Sequence, residues 1–154
     1  MGLDTTHNAF HGAYSAFNRF RQCVAEAIGG SFPDHYEYGL GGAPIPVVRN
    51  GKFGPYRRKP GMEEHRWYWG EGYSKETHPG LYEFFMHEDC DGEISPEMCV
   101  KVADELEALL PAIEALGWNA FGHIARDGGF VAVTQRFIDG CRAAAAEGEP
   151  LDFH

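Results

Sequence analysis

The chain has 154 residues, 44% hydrophobic and 14% aromatic, which suits one domain (1–154) with a real core and excludes a disordered acidic chain. Its formal net charge of −10 excludes a surface that is basic throughout, so extended nucleic acid is not an expected partner and any anion must be held by a local patch. No apolar run approaches the ~20 residues of a membrane-spanning helix and no secretory leader is recognisable, so the expectation is a cytoplasmic protein with no membrane partner.

Near the N-terminus, Asp4-Thr5-Thr6-His7-Asn8-Ala9-Phe10-His11 places two histidines four residues apart. On a helix they would share one face and could hold a transition metal such as zinc. Asn8 stands where a zinc protease carries its catalytic Glu, so that motif is absent. The alternative is a helix N-cap at Asp4 with partly exposed histidines.

The spacing of Phe10, Tyr14, Phe17, Arg21, Val24 and Ile28 predicts a first helix over about 10–28, stopped by Gly29-Gly30. From about 30 to 77 the glycines and prolines rule out long helices and leave an irregular or short-stranded segment. Short strands are expected near Pro46–Arg49 and His65–Trp69. This segment also holds the basic aromatic stretch from Arg49 through Lys52, Arg57, Arg58 and Arg66 to Trp67 and Trp69. Residues 49–66 carry a balance of +4, while residues 83–114 carry −9. Guanidinium forks grip phosphate and aromatic faces stack on bases, so the stretch suits a small anionic, nucleotide-like ligand. The alternative is a hairpin at Asn50-Gly51 whose charges answer the acidic segment and whose aromatics fill the core.

A short helix is expected over about 79–87, with Thr77 as its cap. The sharpest local signal follows: His87-Glu88-Asp89-Cys90-Asp91-Gly92-Glu93-Ile94. An Asp-x-Asp-Gly turn gathers carboxylates, which hard cations require. Asp89, Asp91, Glu93 and His87 are therefore candidate ligands for a divalent cation (Ca, Mg or Zn), with His7 and His11 as further candidates. The stretch departs from an EF-hand, because His87 and Met98 occupy the first and twelfth positions where that loop needs carboxylates. Acids that simply complement the dipole of the next helix are the alternative.

Ser95-Pro96-Glu97 reads as N-cap, N1 and N2 of a helix whose apolar stripe runs from Cys99 to Leu116. Pro111 should kink or restart it. A last helix is expected over about 129–146, with Asp127 as its cap and a strand over Val131–Thr134 as the alternative. Four widely spaced cysteines, Cys23, Cys90, Cys99 and Cys141, suit reduced thiols better than a disulfide framework.

The strings Asp89–Glu97, His11–Arg21 and Phe153-His154 resemble those of a family of small bacteriophage and actinobacterial proteins, over about a third of the chain. The resemblance implies a phage or prophage origin and carries no activity with it. The combined expectation is a mainly α protein (α+β as the alternative), a compact bundle of about four helices around the 30–77 segment. Its expected function is that of an accessory phage-type protein binding a host protein or a small anionic ligand. The alternative is a metal-dependent hydrolase using the 87–93 acidic loop, with His87 or His11 as ligand or general base.

Overall fold

In the computed structural model, residues 2–32, 46–49, 52–55, 67, 69–87 and 91–154 are described. The apolar spacing of the first helix closes as α1, Tyr14–Ala27, which buries Phe17, Phe20, Cys23 and Val24 and ends where Gly29 turns to φ 77°. Its start falls later than the sequence pattern suggests, because His11–Gly12 is held in a strand pair. α2, Pro79–Met86, has His78 and not Thr77 at its N-cap position. Its leading amides of Gly80 and Leu81 donate to the Glu105 carboxylate at 2.9 and 3.0 Å. A charge from the next helix thus satisfies donors that a helix start leaves open. Gly80 is required there, since a Cβ would lie 2.6 Å from the backbone of Lys101 and Val102.

α3, Pro96–Leu116, starts as its sequence predicts: the Ser95 hydroxyl accepts from the Met98 amide at 3.2 Å. The expected restart at Pro111 does not occur, and the helix runs through it to a left-handed cap at Gly117. Pro111 and Glu107 are both exposed, so water can meet the Glu107 carbonyl that loses its amide donor there. A fourth helix, α4, Gly122–Arg126, interrupts the connection that the sequence left blank. α5, Phe130–Glu147, is preceded by Gly129 at φ 100°. Asp127 is therefore not its cap; it pairs with Arg126 at 3.0 Å and Arg136 at 3.4 Å.

The strand content is small and antiparallel. β1 (Leu3–Asp4) pairs with β2 (His11–Gly12), β3 (Pro46–Arg49) with β4 (Lys52–Pro55), and β5 (Glu93–Ile94) with β6 (Leu151–Asp152). A bridge between Thr5 and Phe153, with paired bonds between Asp4 and His154 at 2.8 Å, ties the two ends of the chain together. The protein is therefore mainly α with short strands. Among the described residues, no helix is long and apolar enough to cross a membrane.

α3 and α5 make the most extensive helix contact, and α1 and α2 pack across them. At the centre, Phe17, Phe20, Phe84 and Phe137 form an edge-to-face cluster with centroids 5.1–6.1 Å apart. Each such ring contributes about 1.5–3 kcal/mol by burial, and each well-placed pair about 1 kcal/mol more. This cluster anchors α1. The polar residues on the other side of α1 are thereby held against α4.

Candidate functional site

Among the described residues, His7 and His11 do not meet the 87–93 turn, whereas His87 lies against Gly92 of that turn. His7 lies in a 3-10 turn, Thr6–Asn8, and His11 lies in β2, so the two histidines share no helical face. The His7 ring reaches the end of α5 instead, with Nε2 at 3.0 Å from Glu147 and 3.1 Å from Glu149. His11 is exposed, 3.5 Å from Asp4. His87 packs its ring on Phe153 at 4.0 Å between centroids. Asp91 accepts from the Gly92 amide at 2.8 Å, which makes it a turn-forming carboxylate. Glu93 is an exposed residue of β5, registered opposite Asp152. Asp89 lies outside the described residues.

The basic stretch divides in the same way. Arg49 and Lys52 are register partners at the end of the β3–β4 hairpin, as expected for an Asn50-Gly51 turn. Arg57, Arg58 and Arg66 lie outside the described residues. Trp67 is 2% exposed, packed within 5.5–6.3 Å of Phe85, Trp69, Tyr82 and Phe32. A ring so enclosed has no free face for a ligand's base. Trp69 is half-buried and meets Phe85 edge-on at 5.9 Å.

A different constellation lies between α1 and α4. A cavity of about 290 Å³ is lined by Ser15, Asn18, Arg19 and Gln22 on α1 and by Phe121, His123, Ile124 and Phe130 opposite. Gln22 is 3% exposed and Asn18 5%. Arg19 lays its guanidinium over the Trp118 ring at 4.2 Å and donates through Nη1 to Gln22 Oε1 at 3.3 Å. That bond fixes the Gln22 amide, because the reversed amide would face donor against donor.

The consequence is a set of polar atoms without partners. Among the described residues, Gln22 Nε2, Arg19 Nε and His123 Nδ1 are buried with no hydrogen-bond partner. Two of these are obligate donors, and the imidazole nitrogen can be one. Each orphaned group costs about 1–3 kcal/mol in an interior that otherwise pairs its polar atoms. The short α4 is flanked by positive-φ glycines at Gly117, Gly122, Gly128 and Gly129, so the wall carrying His123 is joined by turns that only glycine adopts freely. Gly12 backs that wall: a Cβ there would stand 3.2 Å from the His123 ring.

α1 also carries Cys23, whose thiol is buried. Burial pushes the Cys23 thiol up to about 12; Glu26 adds to the rise and Arg19 opposes it. Such a thiol is inert near neutral pH. The arrangement can therefore bind and orient an acceptor-bearing molecule.

Sequence reasoning missed Arg19, Gln22 and His123. The available signal was the density of polar residues on α1, where Asn18, Arg21, Gln22 and Glu26 are all buried beside the apolar stripe. A helix with a stripe that wide on both sides must bury polar atoms against something. Scans and searches of family models, curated proteins and solved structures find no match to the chain, so no family is assigned.

Proposed function

We propose that the protein acts by binding, and that its ligand is a small anionic molecule held in the cleft between α1 and α4. The observation that carries this reading is that three residues lining one cavity, Arg19, Gln22 and His123, each carry a buried side-chain nitrogen with no hydrogen-bond partner among the described residues. A ligand oxygen with negative charge would satisfy them, and charge-assisted bonds to such an oxygen are the stronger kind. Because the whole chain is acidic, the only attraction for an anion is local, and Arg19 supplies it. The site thus differs in place, though not in ligand class, from the basic 49–69 stretch.

Calorimetric titration with small carboxylates, inorganic phosphate and a nucleotide tests the reading. At least one anion should bind the wild type. Arg19→Gln should weaken it at least tenfold, while Arg57→Ala with Arg58→Ala leaves it unchanged. Binding that is lost only with Arg57 and Arg58 would move the site to the basic stretch and defeat the reading.

A divalent cation is a second reading, favoured by one observation: His7, Glu147 and Glu149 bring one ligand atom each within 4.8 Å of one another. Imidazole nitrogen with two carboxylates suits zinc or a similar ion. His7 Nδ1 is 3.1 Å from Thr6 Oγ1, a contact of the kind that orients a ligating imidazole. Elemental analysis with thermal melts in EDTA tests it: superimposable melts and no bound metal would remove the reading.

A further inference from the structure

The chemical class of the anion follows from how few charges the cleft offers and from what its walls are made of. Arg19 is the only Lys or Arg among the described residues that line it. Its guanidinium is committed on two sides, by the Trp118 face at 4.2 Å and by the Gln22 carbonyl through Nη1. That leaves one fork of N–H donors, the Nε–Nη2 edge, which matches the two oxygens of a carboxylate. The neighbouring cations are engaged elsewhere. Arg21 donates to the His87 carbonyl and lies over Phe17 at 4.4 Å, and Arg126 bonds Asp127 and the His11 carbonyl. One turn beyond Gln22 on α1, Glu26 is 9% exposed. A carboxylate there adds negative potential and no attraction for an anion.

A dianion buried against one guanidinium would leave a full charge uncompensated in a low-dielectric setting. A carboxylate carries one charge and two acceptor oxygens. Arg19 and Gln22 line the cavity, and a small rotation of each side chain turns Nε and Nε2, which have no partner among the described residues, toward those oxygens, with His123 alongside. Behind this polar end the walls are apolar: Ala16, Ile124 and Phe130 line the cavity, and Phe121 stands at its rim with 70% of its surface exposed. Trp118 meets Phe130 edge-on at 5.7 Å and continues that wall. At about 290 Å³ the space lies near the lower end for small-molecule sites.

We propose that the cleft takes a monocarboxylate carrying an apolar, ring-sized body, and discriminates against phosphate esters. Arg19 and Gln22 hold the carboxylate, His123 closes its side, and Phe121 covers the body. The proposal rests on the anion-binding reading above, and the two can fail separately.

The test is equilibrium titration of the full chain with benzoate, phenylacetate, acetate, benzamide, phenyl phosphate and inorganic phosphate. At pH 7 one of the two aryl carboxylates should bind at least tenfold more tightly than acetate, benzamide or phenyl phosphate. Phe121→Ala should weaken that binding about fivefold and leave acetate unaffected. Arg19→Gln should weaken it at least tenfold; Gln22→Leu serves as the second variant should Arg19→Gln unfold. Phenyl phosphate or inorganic phosphate binding as tightly as the aryl carboxylates, and sensitive to Arg19→Gln, would overturn the carboxylate assignment while keeping the anion reading. No binding by any of these anions, or binding that ignores both cleft variants, would overturn both.

Discussion

Replacing Gln22 by leucine should make the protein more stable and less able to bind. Gln22 is 3% exposed, and its Nε2 has no partner among the described residues. Burying that donor costs about 1–3 kcal/mol. Leucine removes the donor at similar volume, and the two residues have nearly equal helix propensity, so α1 itself is indifferent. Against this gain stands one lost bond, Arg19 Nη1 to Gln22 Oε1, which at 3.3 Å is long and so worth about 1 kcal/mol, below the ~1.5–3 kcal/mol of a well-formed bond to a charged group. The balance favours the variant by about 1 kcal/mol. For a chain of 154 residues that is a rise of about 2–4 °C in Tm. Urea unfolding at pH 7, analysed with a common m-value, measures the difference, and titration with an aryl carboxylate measures the loss of affinity. A variant that is less stable by 1 kcal/mol or more would refute the reasoning. In that case Gln22 serves the fold, and the unpartnered amide is not held for a ligand.

Three further outcomes follow from the packing and the charges. Gly140→Ala should lower stability by about 1–3 kcal/mol despite alanine's better helix propensity, because the new Cβ would stand 2.3 Å from Ala9 Cβ and 2.6 Å from Ala9 Cα; a melt at or above the wild-type temperature would contradict this docking of the N-terminal segment on α5. The hydrogen bond from Arg126, with further attraction from Arg126, Arg136 and His123, holds the Asp127 carboxyl below its ordinary value. Its stabilisation is therefore present above the unfolded value of about 3.9 and lost as pH falls through the folded one. Asp127→Asn should cost on the order of 1 kcal/mol or less at pH 7, and the gap to wild type should close in acid; a gap that widens in acid would contradict the pairing. In a Cys90→Ser background, Cys23, Cys99 and Cys141 should react with a thiol reagent only on unfolding, since all three are buried and reduced and burial raises Cys23 to about 12. The Cys141 thiol is raised too, by its hydrogen bond with Cys99 and then by burial. Rapid labelling of the native protein would contradict that.

The helices were legible wherever an apolar stripe and a terminal signal coincided. Ser95-Pro96 marks the start of α3 because a hydroxyl cap and a fixed proline φ are local chemistry. The β3–β4 hairpin follows from Asn50-Gly51 for the same reason. Asp127 misled because its partners, Arg126 and Arg136, compete for the carboxylate that would have capped α5. Pro111 does not restart α3, because the apolar stripe on both sides of it is held by the core and outweighs one lost backbone bond. α4 carries no periodic signal at five residues.

The candidate site was less legible than the fold. Charge density drew attention to residues 49–66 and 87–93, and much of both stretches lies outside the described residues. His7 meets Glu147 and Glu149 from the far end of the chain. Arg19, Gln22 and His123 become a group only when α4 folds back over α1. What the sequence could not express was the absence of partners. An orphaned amide is visible only after every neighbouring acceptor has been placed.

Side-chain nitrogen NMR reads the central claim at the atoms themselves. With uniformly 15N-labelled protein and increasing benzoate or phenylacetate, the Gln22 Nε2 and Arg19 Nε correlations should shift together and saturate along one binding curve. Backbone shifts should concentrate on residues 15–22 and 118–130. Saturating shifts that map to residues 49–59 instead, with the Gln22 and Arg19 side-chain signals unmoved, would contradict the account.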